Sequence, residues 1–253
     1  MKNNIINIAA AIFFLISAWL LFANLSDHAL SNDEAFNSVL ARNIMQFGYP
    51  RSFDGLNYVY PDSPSFNWPG TYIFIADPWL AIYATGLSFK LFGVNTWSAR
   101  ILFVLAGLLT LVVLFIFCIR YLKSKDIAFI SALLLSTSLP FLLHIRQARY
   151  YGLVVFLCMG IFYLYHRLLE KEKGYFWFGL AASLLMFSHH AIFIPVFGAI
   201  WLMALLIDRG KIRWGRFIAA SIMPICLLIP WAVFLLMSRS SDASGFPFNA
   251  SLV

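Results

Sequence analysis

Two adjacent carboxylates, Asp33-Glu34, follow the first long apolar segment of this chain after a short polar link. Neighbouring residues on a helix point about 100° apart, so the two cannot grip one atom and must divide their work. Ser31 and Glu34 stand at capping-box spacing, which gives Glu34 a structural task at a helix start. Asp33, at the second helical position, lies in the positive field of that start, a setting that suits a carboxylate. At the mouth of a water-poor cavity such a group can take a proton from an acceptor hydroxyl or amine. The plainer alternative is that both acids only favour the helix start.

Further along, Arg146-Gln147-Ala148-Arg149-Tyr150-Tyr151 offers two guanidiniums beside aromatic rings. Arginine meets phosphate through two parallel hydrogen bonds, so Arg146, Arg149 and Tyr150 are candidates for holding a phosphate-bearing lipid head. The alternative is an interfacial anchor with its aromatic belt. Arg100, near one end of an otherwise uncharged apolar run, and Glu34 join them as candidate substrate-binding residues. His189-His190 can supply a metal ligand with Glu34 as partner, and a divalent ion is the one cofactor these residues leave open. Adjacent histidines make a poor pair for one ion, and a polar turn explains them as well. Asp54, Asp62 and Asp77 are scattered between these groups without a distinctive context.

The elements that must position these groups are hydrophobic. Apolar residues make up 62% of the 253 and charged residues only 11%, with 26 phenylalanines. Soluble domains carry about 25% charge, so the chain is read as an all-α, polytopic membrane protein. Seven uninterrupted apolar stretches stand out: 5–25, 97–119, 127–143, 150–165, 175–188, 191–207 and 217–237. A helix needs about 20 residues to cross the hydrocarbon core, and the third to sixth stretches are short of that. Seven transmembrane helices are the expectation, with the first read as an uncleaved anchor. Cys118, Cys158 and Cys226 fall inside the stretches, without metal spacing, and read as buried small hydrophobes.

Eleven of the 18 Lys and Arg residues fall on the side that begins with Lys2. The positive-inside rule then puts the N-terminus in the cytoplasm of a bacterial or archaeal plasma membrane. The net charge of +7 is an orientation signal and not a nucleic-acid footprint, since no basic stripe alternates with exposed aromatics. Residues 26–95 become a first extracytoplasmic loop. Within it, the capping box at Ser31, apolar residues Phe36, Val39, Leu40, Ile44 and Phe47, and Gly48 with Pro50 predict an amphipathic helix lying on the membrane. A second helix is expected over about 78–92, closed by Gly93. Between the two, residues 49–77 are dense in Pro, Gly, Ser, Asn and aromatics, as in an ordered binding loop.

Asp33-Glu34-Ala35-Phe36 and the amphipathic helix after it resemble the first-loop motif of polytopic GT-C glycosyltransferases. The protein O-mannosyltransferase and aminoarabinose (lipid A) transferase superfamily is the nearest in pattern. Lys90-Leu91-Phe92-Gly93-Val94-Asn95, Ser98-Ala99-Arg100 and Arg146-Gln147-Ala148-Arg149-Tyr150 extend the resemblance, which covers about residues 9–207. It implies sugar transfer from a polyprenyl-phosphate carrier to a lipid or protein acceptor on the non-cytoplasmic face. By that resemblance Asp33 is the catalytic or acceptor-activating acid, and Arg146 and Arg149 meet the carrier phosphate. There are two departures. Family chains are longer, so 1–253 is expected to be one transmembrane domain forming the N-terminal portion of a larger module. The Pro-Leu that the aminoarabinose branch carries late in its first loop is replaced by Asn67-Trp68-Pro69-Gly70.

A lipid flippase or transporter, and a non-catalytic membrane subunit, are the competing readings. Transporters place ionisable groups near the bilayer midplane, often in repeated halves. Here the apolar stretches hold no Asp, Glu, Lys or Arg except Arg100, which argues against ion-coupled transport.

Overall fold

The computed structural model describes residues 2–60, 66–68 and 71–243. Asp62 lies outside the described residues. Among the described residues ten helices follow in order: α1 (Lys2–Phe22), α2 (Asn32–Phe47), α3 (Leu80–Phe92), α4 (Thr96–Tyr121), α5 (Lys125–Thr137), α6 (Leu139–Ile145), α7 (Tyr151–Lys171), α8 (Tyr175–Ser188), α9 (His190–Leu206) and α10 (Trp214–Ala243). Between α2 and α3, β1 (Asn67–Trp68) pairs antiparallel with β2 (Ile73–Phe74), Asn67 facing Phe74 and Trp68 facing Ile73.

The chain is an integral membrane protein built as a helical bundle. Among the described residues, fewer helices than the seven apolar stretches are long and apolar enough to cross a bilayer on their own. By length and composition α4, α7 and Trp214–Val233 of α10 can each cross a bilayer alone. The third expected span is broken: α5 and α6 meet at 64°. Ser138 between them is extended and Pro140 stands in the first turn of α6. Proline has no N–H to give the preceding turn, so a straight helix through it would lose a backbone hydrogen bond. Helices α8 and α9, with 14 and 17 residues, reach about 21 and 26 Å against a core of about 30 Å.

Three cores hold the bundle. Ile161, Tyr165, Phe178, Leu185, Phe197 and Phe217 fill the space among α7, α8, α9 and α10. Leu21, Val104, Leu111, Phe141 and Ile145 join α1, α4 and α6. Leu40, Ala41, Phe74, Ile82, Phe103 and Ala148 seat α2 and α3 on α4 and α7. Helix α7 comes unusually close to α4 at Gly152, where a Cβ would lie 2.5 Å from the Phe103 carbonyl oxygen. Such a contact admits only glycine, and it sets the height at which the link before α7 emerges. Of the three cysteines, Cys118 is buried, Cys158 half-buried and Cys226 exposed on α10.

Helix α2 starts and stops where its residues predict. The Glu34 carboxylate accepts from the Ser31 amide at 2.9 Å, and Gly48, at φ 81°, gives its N–H to the Ile44 carbonyl. Its apolar stripe is spent differently from expectation. Leu40 and Ala41 are closed over by protein, with Gly86 of α3 beside the Ala41 carbonyl, while Phe36, Ile44 and Phe47 stay half-buried. Helix α2 thus packs along α3, and the two are seated together on α4.

Candidate active site

Glu34 and Arg100 are both interior, at 2% and 7% exposure. Arg100 Nε donates to Glu34 Oε1 at 2.7 Å and Nη2 to Oε2 at 2.9 Å. Its remaining N–H groups reach the carbonyls of Leu25 (2.8 Å), His28 (3.0 Å) and Ala29 (3.1 Å). All five guanidinium donors are thereby used. Glu34 also accepts from the amides of Ser31 (2.9 Å) and Ala148 (2.8 Å), so each oxygen takes two hydrogen bonds and no lone pair is left. This corrects three expectations. Neither Glu34 nor Arg100 has a free group to offer a substrate, and Glu34 has none to offer a metal. The pair is a buried clamp that ties the α1–α2 link, α2, α4 and the link before α7 together.

Burial alone would push the Glu34 carboxyl up; the hydrogen bonds from Arg100 and from the Ser31 and Ala148 amides outweigh it and hold the group below its ordinary 4.5. A carboxylate lowered on folding contributes stability that is complete above 4.5 and is lost as pH falls through the depressed folded value. Thermal unfolding followed in detergent from neutral pH into acid should show this loss below 4.5, and Glu34→Gln should remove that part of the slope.

The clamp delivers the chemistry. One turn after Glu34, Asn37 Nδ2 donates to the Ala148 carbonyl at 2.8 Å and to Thr85 Oγ1 at 3.0 Å. Both backbone polar groups of Ala148 are thus held by α2 side chains. The next residue, Arg149, is carried to α2, where Nη1 meets Asp33 Oδ2 at 2.6 Å. The Asp33 side chain is 55% exposed and that of Arg149 27%, so this ion pair, unlike the first, is accessible from outside the protein. The Arg149 guanidinium also lies over the rings of Tyr150 (5.4 Å) and Tyr151 (5.1 Å).

Asp33 and Arg149 stand on the rim of a cleft of about 550 Å³, counting its open mouth, whose other walls include Phe36, Tyr60, Phe74, Asp77 and Tyr150. Asp77 was not separable from the other loop acids by sequence. Asp54, by contrast, is taken by Arg42 at 3.0 Å and by the Leu56 and Asn57 amides. Burial, followed by the charges of Asp77 and Asp33, raises the Tyr60 phenol above its ordinary value, so it stays protonated.

Arg146 does not reach this rim. Its Nη2 donates to the Ala23 carbonyl at the end of α1. Residues 146–150 are a turn and not a helix, so two arginines three apart point to different places. His189 packs its ring 4.4 Å from that of Tyr150, and the two histidine rings lie 6.1 Å apart. Among the described residues no three His, Cys, Asp or Glu side chains gather as a metal site would need. His189 links α8 to α9 and packs behind Tyr150 of the cleft wall, and His190 begins α9.

Comparison with known proteins bears on this geometry. Residues 76–236 match the family described as dolichyl-phosphate-mannose-protein mannosyltransferase, a stretch holding Asp77, Arg100 and Arg149. A protein of Aquifex aeolicus (strain VF5), named only "Uncharacterized protein", is 26% identical over 216 residues, covering 84% of this chain and 40% of its own length. Two crystal structures of ArnT from Cupriavidus metallidurans share the fold at 15% identity. The apo form superposes with a TM-score of 0.67 over 96% of this chain and 44% of that one. The form bound to undecaprenyl phosphate gives 0.64 over 89% and 41%. The chain thus spans about two fifths of the length of these relatives.

Proposed function

The chain belongs to the dolichyl-phosphate-mannose-protein mannosyltransferase family of GT-C membrane proteins, and from that premise we propose that it transfers a sugar from a polyprenyl-phosphate carrier to a lipid or protein acceptor. The observation that carries the proposal is the Asp33–Arg149 pair, a carboxylate and a guanidinium side by side on the open rim of an aromatic-walled cleft. The undecaprenyl phosphate bound to the Cupriavidus protein of like fold supports the class of carrier. The predominance of Lys and Arg on the opposite side of the bundle supports an extracytoplasmic cleft within the 26–95 loop region.

In this reading Asp33 takes the proton of the acceptor hydroxyl or amine as that group attacks the anomeric carbon. The bond from that carbon to the phosphate oxygen breaks, the electron pair leaves with the lipid phosphate, and the configuration inverts. Arg149 stabilises the charge that develops on the departing phosphate. The Glu34–Arg100 clamp and Asn37 act by holding the two groups at their separation.

Arg149→Ala should weaken binding of undecaprenyl phosphate by roughly 10- to 100-fold, as expected for one charged hydrogen-bonded contact. Arg149→Lys keeps the charge and loses the fork, so it should fall between the variant and the wild type. Arg146→Ala should cost less in binding than Arg149→Ala, because its guanidinium is turned to Ala23. Titration of the solubilised full-length protein with undecaprenyl phosphate reads all three. Unchanged affinity in Arg149→Ala would remove the phosphate assignment.

A further inference from the structure

Two carboxylates line the cleft, and they are not equivalent. Asp33 is held by Arg149 at 2.6 Å. Asp77 is exposed in the same cleft and makes no ion pair among the described residues. A carboxylate without a cation is an acceptor of hydrogen bonds with both oxygens open.

Its backbone is fixed on both sides. Phe74 and Ile75 before it are each 1% exposed, and the Ile75 amide is bonded to the Phe66 carbonyl at 2.8 Å. After it Pro78 is buried, and Trp79 Nε1 returns to the Phe74 carbonyl at 2.8 Å. Five residues between β2 and α3 therefore form a closed corner that presents Asp77 at a set place, which is how a preorganised ligand group is built.

Aromatic side chains, Phe36, Tyr60 and Tyr150 among them, line the same cleft. The Tyr60 ring stacks on Phe66 (4.9 Å, 19°) and on Phe74 (5.1 Å, 20°), with Phe36 tilted against it at 5.0 Å. The Tyr60 hydroxyl keeps its proton, so this wall also carries a donor. An apolar face bordered by a phenol and a bare carboxylate matches a saturated ring whose faces are C–H and whose edge carries hydrogen-bond donors. Arg149, on the same rim, marks where a phosphate attached to that ring would lie.

From this arrangement we infer that Asp77 and Tyr60 form the sugar subsite: the ring lies among the aromatic side chains of the cleft, with the Tyr60 hydroxyl at its edge, and Asp77 accepts from its hydroxyl or amino groups. The assignment rests on the proposed function and adds the residue that reads the sugar as distinct from the carrier. Asp77 is then a specificity determinant, because an acceptor that the bound sugar covers and leaves without a donor discriminates strongly against the analogue lacking that donor.

The test compares the carrier with and without its sugar. Solubilised full-length protein is titrated with undecaprenyl phosphate, with an undecaprenyl-phosphate hexose and with an undecaprenyl-phosphate amino sugar. The readout is the affinity gained by adding each sugar. In Asp77→Asn that gain should fall at least tenfold for the sugar the wild type prefers. Affinity for undecaprenyl phosphate itself should change less than twofold, which also shows that the variant is folded. In Arg149→Ala both carriers should weaken together. The subsite is overturned if Asp77→Asn leaves the sugar gain intact, if it weakens bare and loaded carriers equally, or if no sugar adds affinity in the wild type. If the wild type binds no undecaprenyl phosphate, or Arg149→Ala leaves that binding unchanged, the proposed function fails and the subsite fails with it. The first three results leave the carrier assignment standing.

Discussion

Asp33→Asn should lower sugar transfer by about 10²–10⁴-fold, the usual cost of removing a general base, with the protein still folded. The side chain keeps its shape and is more than half exposed, so nothing in the core depends on its charge. What the change removes is the proton acceptor and the partner of Arg149. Binding of undecaprenyl phosphate should survive, because the guanidinium is then free to turn wholly to the ligand. The measurement is transfer rate set beside carrier affinity in the same preparation. If Asp33→Asn keeps full rate while Asp77→Asn loses it, Asp77 is the base and the roles assigned to the two acids are exchanged.

Glu34→Gln and Arg100→Ala should behave in the opposite manner. Removing one partner of a buried, hydrogen-bonded ion pair costs about 3–5 kcal/mol, because the other charge is left interior and uncompensated. From sequence alone Glu34→Gln looks mild, since glutamine also serves a capping box. The structure reverses that expectation: an amide turns one of the two oxygens into a donor pointing at donors, from Arg100 and from either Ser31 or Ala148. Both variants should unfold at markedly lower temperature and lose carrier binding and transfer together. A Glu34→Gln protein with wild-type stability and reduced rate would mean that Glu34 works on the substrate after all.

What the sequence makes legible is local. Ser31, Glu34 and Gly48 mark the ends of α2, and Gly93 the end of α3, because caps and left-handed stops act within a few residues. The membrane class follows from composition. The parts that stayed hidden depend on distance along the chain. Asn37 shares a helix face with Glu34, yet its target, the Ala148 carbonyl, is 111 residues away. Asp77 gains meaning only when β2 and α3 bring it across from Asp33. Arg146 and Arg149 read as one binding unit because they share a short stretch beside aromatic rings, and they separate because the chain turns there. Pro140 was visible, but an apolar run conceals a bend as long as composition alone is counted.

The Glu34–Arg100 clamp has a polarity that the backbone decides. Position 34 faces two amide donors, and position 100 faces three carbonyl acceptors. Swapping the residues would preserve the opposite charges while setting a guanidinium against N–H groups and a carboxylate against carbonyl oxygens. The exchange that rescues many surface ion pairs is therefore closed to this one. Each position can drift only toward a side chain of the same hydrogen-bonding sense, and no single step reaches an uncharged pair without passing through a lone buried charge. The packing of α2 and α3 on α4 is in that respect locked to one chemical handedness, which leaves variation in this region to the residues that face the cleft.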